Sequence, residues 1–273
     1  MPVKKRTLVQ KFFADRGTHL AAMIAYFALL SFVPLTFLAL ALLGLTGRAD
    51  ESSFLVKEIR HAVPGAPIER IVDLVNAVRR SAAALGIIGG AALLWTSLSF
   101  FSVLESAFNI VYGRPNRSFL HGKWLALVLM TGSLVTLFVA LLAGSLGVAA
   151  LREYAPGFIG DVVVAYALSV TVSTLGIFAF LLSAYAVLTN EPLSWRDALP
   201  GTLFATVLLE ASFQVLPIYV RLSELNPALR TFGGTAILLV WLYVMANVIV
   251  FGAELNWWWA RRRVAPEEAP GLA

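Results

Sequence analysis

Four polar residues stand four apart in an otherwise apolar stretch: Thr202, Thr206, Glu210 and Gln214. That spacing predicts one stripe along a helix. A carboxylic acid at bilayer depth costs roughly 2.5–3.5 kcal/mol or more, so Glu210 requires compensation from protein or water. Two kinds of chemistry fit such a group. It can be a protonatable or substrate-contacting residue in a cavity, or it can hydrogen-bond one helix to another. Related stripes recur. Ser99, Ser102, Glu105, Ser106 and Asn109 share a face, and so do Tyr243, Asn247, Val250 and Glu254. Tyr26 and Ser31 occur in the first apolar run, near a helix-breaking Pro34 that frees a backbone carbonyl.

Other site chemistry finds little support. His19, His61 and His121 are far apart, and the chain contains no cysteine. The H-E-x-x-H, P-loop and G-x-S-x-G patterns and paired acidic metal motifs are absent from the sequence. No catalytic residue, metal ligand or cofactor site is therefore assigned. The pI near 9.7 raises the question of nucleic acid, but the basic residues flank apolar runs as topogenic or lipid-headgroup contacts do. No nucleic-acid partner is expected.

The elements that must carry these stripes are membrane helices. Of 273 residues, 59% are hydrophobic and 14% charged, against about 25% charged in soluble domains. Runs at 20–45, 81–107, 124–151, 162–189, 198–220 and 231–254 each reach the roughly 20 residues needed to cross a bilayer. The first run is too long for a signal-peptide core of about 7–15 residues and reads as an uncleaved span. Between the first two runs, residues 47–80 carry apolar positions at helical spacing on either side of Pro64 and Gly65. They read as a pair of amphipathic helices outside the bilayer, either a cap on the bundle or a partner surface. Gly86 and Gly90, and small residues at 140, 143, 144 and 147, predict close helix packing. The expected fold is all-α: one transmembrane domain, 1–273, of six helices.

Six spans place both termini on one side. Lys4, Lys5, Arg6, Lys11, Arg16, Arg114, Arg117, Lys123, Arg196, Arg261, Arg262 and Arg263 gather there, whereas Arg152, Arg221 and Arg230 fall opposite, together with six basic and five acidic residues of the segment between the first two runs, which weaken the contrast. The asymmetry predicts cytoplasmic termini, and Trp257, Trp258 and Trp259 before the last arginines form an interfacial anchor. Glu210 then lies near the midplane, with Glu105, Asn109 and Glu254 toward the cytoplasm. No lysine, arginine or histidine lies inside an apolar run, so an amide or hydroxyl is the expected partner of Glu210. The expected arrangement is a polar cavity among spans one, two, five and six, with Asn247 and the second span's polar face beside Glu210.

Three segments carry a family resemblance: AAMIAYFALLSFVPL, LLWTSLSFFSVLESAFNIVYG with RSF shortly after, and EPLSWRDALPG followed by TFGGTAILLVWLYVMANVIVFGAELN. Together they resemble the YihY/BrkB family of bacterial inner-membrane proteins. The resemblance implies six membrane helices, an inner-membrane location and no established enzymatic chemistry, the older ribonuclease label notwithstanding. It also implies a role in moving lipids or other envelope components. The expected function is therefore a transporter or lipid-handling protein with membrane lipids as partners. The alternative is a non-catalytic scaffold for envelope-assembly proteins.

Overall fold

The computed structural model describes residues 7–45, 86–154, 162–224 and 234–264. The segment at 47–80 lies outside the described residues, and so do the side chains of Pro34 and of the small-residue motifs at 86–90 and 140–147. Seven helices are described: α1 (Leu8–Ala14), α2 (Gly17–Leu45), α3 (Gly86–Tyr112), α4 (Phe119–Tyr154), α5 (Val162–Leu188), α6 (Trp195–Glu224) and α7 (Gly234–Val264). The protein is an all-α, polytopic membrane protein. Five of these helices contain stretches long and apolar enough to cross a bilayer, and α2 adds a shorter apolar stretch, Gly17–Phe32, within its 29 residues.

Local chemistry accounts for the helix boundaries near the chain's described ends. Thr7 and Gln10 form a reciprocal capping box that starts α1. Arg16, at φ 57°, turns the chain between α1 and α2. Helix α3 runs five residues beyond the expected end at 107, so Asn109 remains helical. It stops at Gly113, whose φ of 66° no β-carbon opposes. The N–H of Gly113 bonds the Ile110 carbonyl and that of Arg114 bonds the Asn109 carbonyl, a Schellman ending. Helix α7 runs ten residues past the expected end at 254, carrying Trp257, Trp258, Trp259 and the arginines on the same rigid rod.

The helices pack in chain order, α2 on α3, α3 on α4, α4 on α5, α5 on α6 and α6 on α7, and α7 returns onto α2 to close a ring. Helix α3 also reaches across to α5 and α7, and α1 lies on α2 and α7. The main core joins Phe12, Ile24, Phe108, Val111, Leu181, Tyr185, Leu188 and Val250, all near the end of the bundle where α1 sits. A smaller cluster of Leu216, Leu238 and Trp241 lies nearer the other end. Exposed Leu175, Leu203, Val207 and Val244 form the apolar exterior that hydrocarbon would cover.

Candidate functional site

The stripe on α6 does not keep to one face. At about 100° per residue, a step of four advances about 40° around the axis. Thr202 and Thr206 are buried, Glu210 is half-buried and Gln214 is exposed. Over three steps the stripe turns by about 120°, out of the core and into the seam between α5 and α6. There Ser173 on α5 donates to Glu210 Oε2 at 2.7 Å, and Gln214 Nε2 donates to Glu210 Oε1 at 2.9 Å. Glu210 therefore has hydroxyl and amide partners, as expected from the lack of a nearby cation. They come from α5 and its own helix, however, rather than from Asn247 or α3. Thr202 Oγ1 returns to the Ala198 carbonyl, and Thr206 Oγ1 is buried with no hydrogen-bond partner among the described residues.

Helix α7 carries the acid candidate Glu254 on the side turned away from Glu210's helix. Gly201 of α6 and Gly252 of α7 bring the two backbones together. A β-carbon at Gly201 would overlap the Gly252 carbonyl oxygen and stand 2.6 Å from Asn256 Oδ1. One built at Gly252 would stand 2.5 Å from the Tyr185 hydroxyl and 3.0 Å from the Gly201 carbonyl. The Gly201 N–H, one residue beyond Pro200, donates to Asn256 Oδ1 at 2.6 Å, and Tyr185 donates to the Ile249 carbonyl at 2.8 Å. Gly252 and Asn256 thus mark the side of α7 that faces α6. Glu254, two residues from each, is rotated about 200° from them and faces α1 and α3.

On that far side Glu254 is fully buried and meets Lys11 of α1 at 2.6 Å. The Lys11 ammonium also bonds Asp15 and the Val111 carbonyl of α3, the latter at 2.8 Å, and lies 4.1 Å from the centre of the Trp257 ring. A buried charge is tolerated when it is paired and hydrogen-bonded, and Lys11 meets that condition with two carboxylates and a carbonyl. Glu254 Oε1 and the Tyr112 hydroxyl are buried beside it without hydrogen-bond partners among the described residues. Sequence reading placed Lys11 among the topogenic cations. The available signal was the capping box, which makes residues 8–14 a helix able to turn one lysine inward.

Glu105 and Asn109 hold the turn between α3 and α4 against that between α5 and α6. Asn109 Oδ1 accepts the Asn190 N–H at 2.7 Å, and its amide donates to Asn116, which in turn donates to Ser106. Arg117 caps α5, donating to the Leu188 and Thr189 carbonyls at 2.6 and 2.9 Å, and stands 3.5 Å from Glu105. Asn247 donates to the Tyr243 carbonyl one turn back, and both residues are half-buried. Tyr26 is 53% exposed, about 200° around α2 from buried Ile24, so it does not line the interior as expected. Ser31 is buried and donates to the Thr96 carbonyl. Of the nine candidates, Glu210 and Gln214 thus lie in the α5–α6 seam, Glu254 in the α1–α7 contact, Glu105 and Asn109 in the loop clasp and Tyr26 on the outer face of α2, while Thr206 is buried on α6 and Tyr243 and Asn247 are half-buried on α7.

An ion pair of Arg114 with Glu191 closes the loop region. The hydrogen bond from Arg114 holds the Glu191 carboxyl below the usual glutamate range; partial burial opposes it, and the charges of Arg114 and Arg261 reinforce it. A carboxylate whose folded-state pKa is lowered contributes stability above its unfolded pKa, lost as pH falls through the folded one. Glu191→Gln should therefore lower the melting temperature modestly at neutral pH. The difference from wild type should begin to shrink as pH drops below the ordinary glutamate value of 4.5 and vanish once pH passes the lowered folded-state value. A gap that persists in acid would show that the pair does not act through ionisation.

Comparison with known proteins places this geometry in a family. A family model described as virulence factor BrkB matches residues 8–272. The chain is 26% identical to the putative ribonuclease-like protein YfkH of Bacillus subtilis, over 97% of this chain and 98% of that one. It is 28% identical to UPF0761 membrane proteins of Aromatoleum aromaticum and Azotobacter vinelandii, over 92% of this chain but 62% and 61% of theirs. It thus spans less than two thirds of the length of those two relatives. No solved structure matches. With the match running across nearly all of a bundle of apolar helices, the chain belongs to the virulence factor BrkB family of membrane proteins.

Proposed function

We propose that this protein moves or presents lipids or other envelope components in the bacterial inner membrane, without covalent catalysis, and that Glu210 is its working group. The observation that carries this reading is the seam itself. About 15 residues, or roughly 22 Å, into α6, a half-buried carboxylate is held, among the described residues, by a hydroxyl and an amide, between exposed Ser173 and exposed Gln214. Such a group costs free energy at that depth, and intramembrane ionisable residues that are kept mark substrate or proton paths. The orientation is part of the proposal. Arg114, Arg117, Lys123, Arg196, Arg261 and Arg262 lie toward the end where α1 packs, which supports a cytoplasmic position for that end and for both termini.

Two substitutions test the reading. Glu210→Gln retains hydrogen bonding and loses the charge, whereas Glu210→Ala loses both. Both should lower transport of the envelope component by at least ten-fold while the protein accumulates normally. Unchanged transport in both variants, at wild-type protein levels, would remove Glu210 from the mechanism. A scaffold for envelope-assembly proteins is the second reading. It is favoured by the structural engagement of Glu105, Asn109 and Glu254, each tied to a neighbouring element. Loss of partner co-purification when 47–80 is replaced by a flexible linker, with transport intact, would select it.

A further inference from the structure

We infer that the corner where α6 begins and α7 ends binds the phosphate of an anionic glycerophospholipid. Three arginines define it. Arg196 lies 5.1 Å from the Trp195 ring centre, Arg261 4.5 Å from that of Trp257 and Arg262 3.5 Å from that of Trp258. All three are exposed, and among the described residues none has a carboxylate within 4.0 Å.

The helix contact sets their spacing. Helices α6 and α7 run antiparallel, and the Gly201 N–H meets Asn256 Oδ1. Arg196 precedes Gly201 by five residues and Arg261 follows Asn256 by five, so both stand about 7.5 Å beyond that contact, toward the same end. The three guanidinium groups therefore lie at one depth, at the same end of the α6–α7 pair. Trp195 is 58% exposed and Trp259 39% exposed, whereas Trp257 and Trp258 are partly covered. Indole rings favour headgroup depth, where one edge is apolar and the other wet. A guanidinium laid over an indole is held in place, and its donors can still fork onto a phosphate. Charge complementarity selects the occupant: three cations at headgroup depth fit an anionic lipid better than a zwitterionic one.

The full chain, purified and placed in nanodiscs of phosphatidylcholine with or without phosphatidylglycerol, tests the site by native mass spectrometry of retained lipid. Wild type should retain phosphatidylglycerol selectively. Each arginine-to-glutamine change should weaken retention about five-fold, and R196Q/R261Q/R262Q together roughly a hundred-fold. Arginine-to-lysine versions should recover only part of it, because lysine lacks the planar fork. Trp258→Leu, which leaves every charge in place, should weaken retention as well and serves if the triple variant does not fold. Wild-type retention by the folded triple variant, or equal protection of the corner by inorganic phosphate alone, would overturn the inference. The arginine variants are read by lipid retention and the Glu210 variants by transport, so failure of this site and failure of the transport reading are separable.

Discussion

Gly201→Ala should be among the most damaging single changes to this protein, lowering stability by roughly 3 kcal/mol, the upper end of overpacking costs. The added carbon has nowhere to go. It would overlap the Gly252 carbonyl and crowd Asn256, and both belong to α7, which packs on α6, α2, α3 and α1 and so has little freedom to shift. Between helices in hydrocarbon, close backbone approach is itself a main source of attraction, because lipid tails solvate apolar side chains as well as protein does. The substitution would also displace the Asn256 side chain from the Gly201 N–H. Gly252→Ala meets side chains as well as backbone and should cost less, since the Tyr185 hydroxyl can swing aside from the Ile249 carbonyl. Thermal unfolding in mild detergent, followed by fluorescence-detected size exclusion, measures both. A Gly201→Ala protein that melts with wild type would refute the close crossing of α6 and α7.

Lys11→Met and Glu254→Gln should each destabilise the protein by about 3–5 kcal/mol, the range for breaking a buried ion pair from one side. Lys11→Met leaves Glu254 fully buried without its cation, and Glu254→Gln removes the counter-charge from an ammonium that still touches Asp15 and the Val111 carbonyl. The Lys11→Met and Glu254→Gln double variant should lose much less than the sum, because no unpaired charge remains between those two positions. A coupling energy of about 1–3 kcal/mol in that cycle is expected. Additive losses would mean that the two residues act independently and that Lys11 contributes through Asp15 and Trp257 instead. Detachment of α1 has its own readout, since Phe12 packs on Phe251 at 5.6 Å and should become accessible to protease with the helix.

The fold was largely legible in the sequence because membrane helices announce themselves by composition. A run of 20 or more uncharged residues has no other inexpensive conformation in a bilayer. The helix ends were less legible. The expected boundary at 254 followed the charge of Glu254, but no breaker occurs before Pro266, and Glu254 is neutralised from another part of the chain. The partner preference of Glu210 was readable too, because the absence of a nearby cation leaves only hydroxyls and amides.

What the sequence determined by itself is therefore the run of apolar helices and, for Glu210, the kind of partner it needs. Which residues meet was decided by rotation about the helix axes. A spacing of four drifts by about 40° per step, so a stripe that looks like one face on paper leaves the core at Thr206 and reaches the surface at Gln214. Likewise Glu254 and Asn256, two residues apart, face opposite neighbours. Lys11 and Glu254 are 243 residues apart in the chain, and no local pattern joins them. Only the closing of the ring, with α7 packed on α2 and α1 laid across its end, brings that cation to that acid.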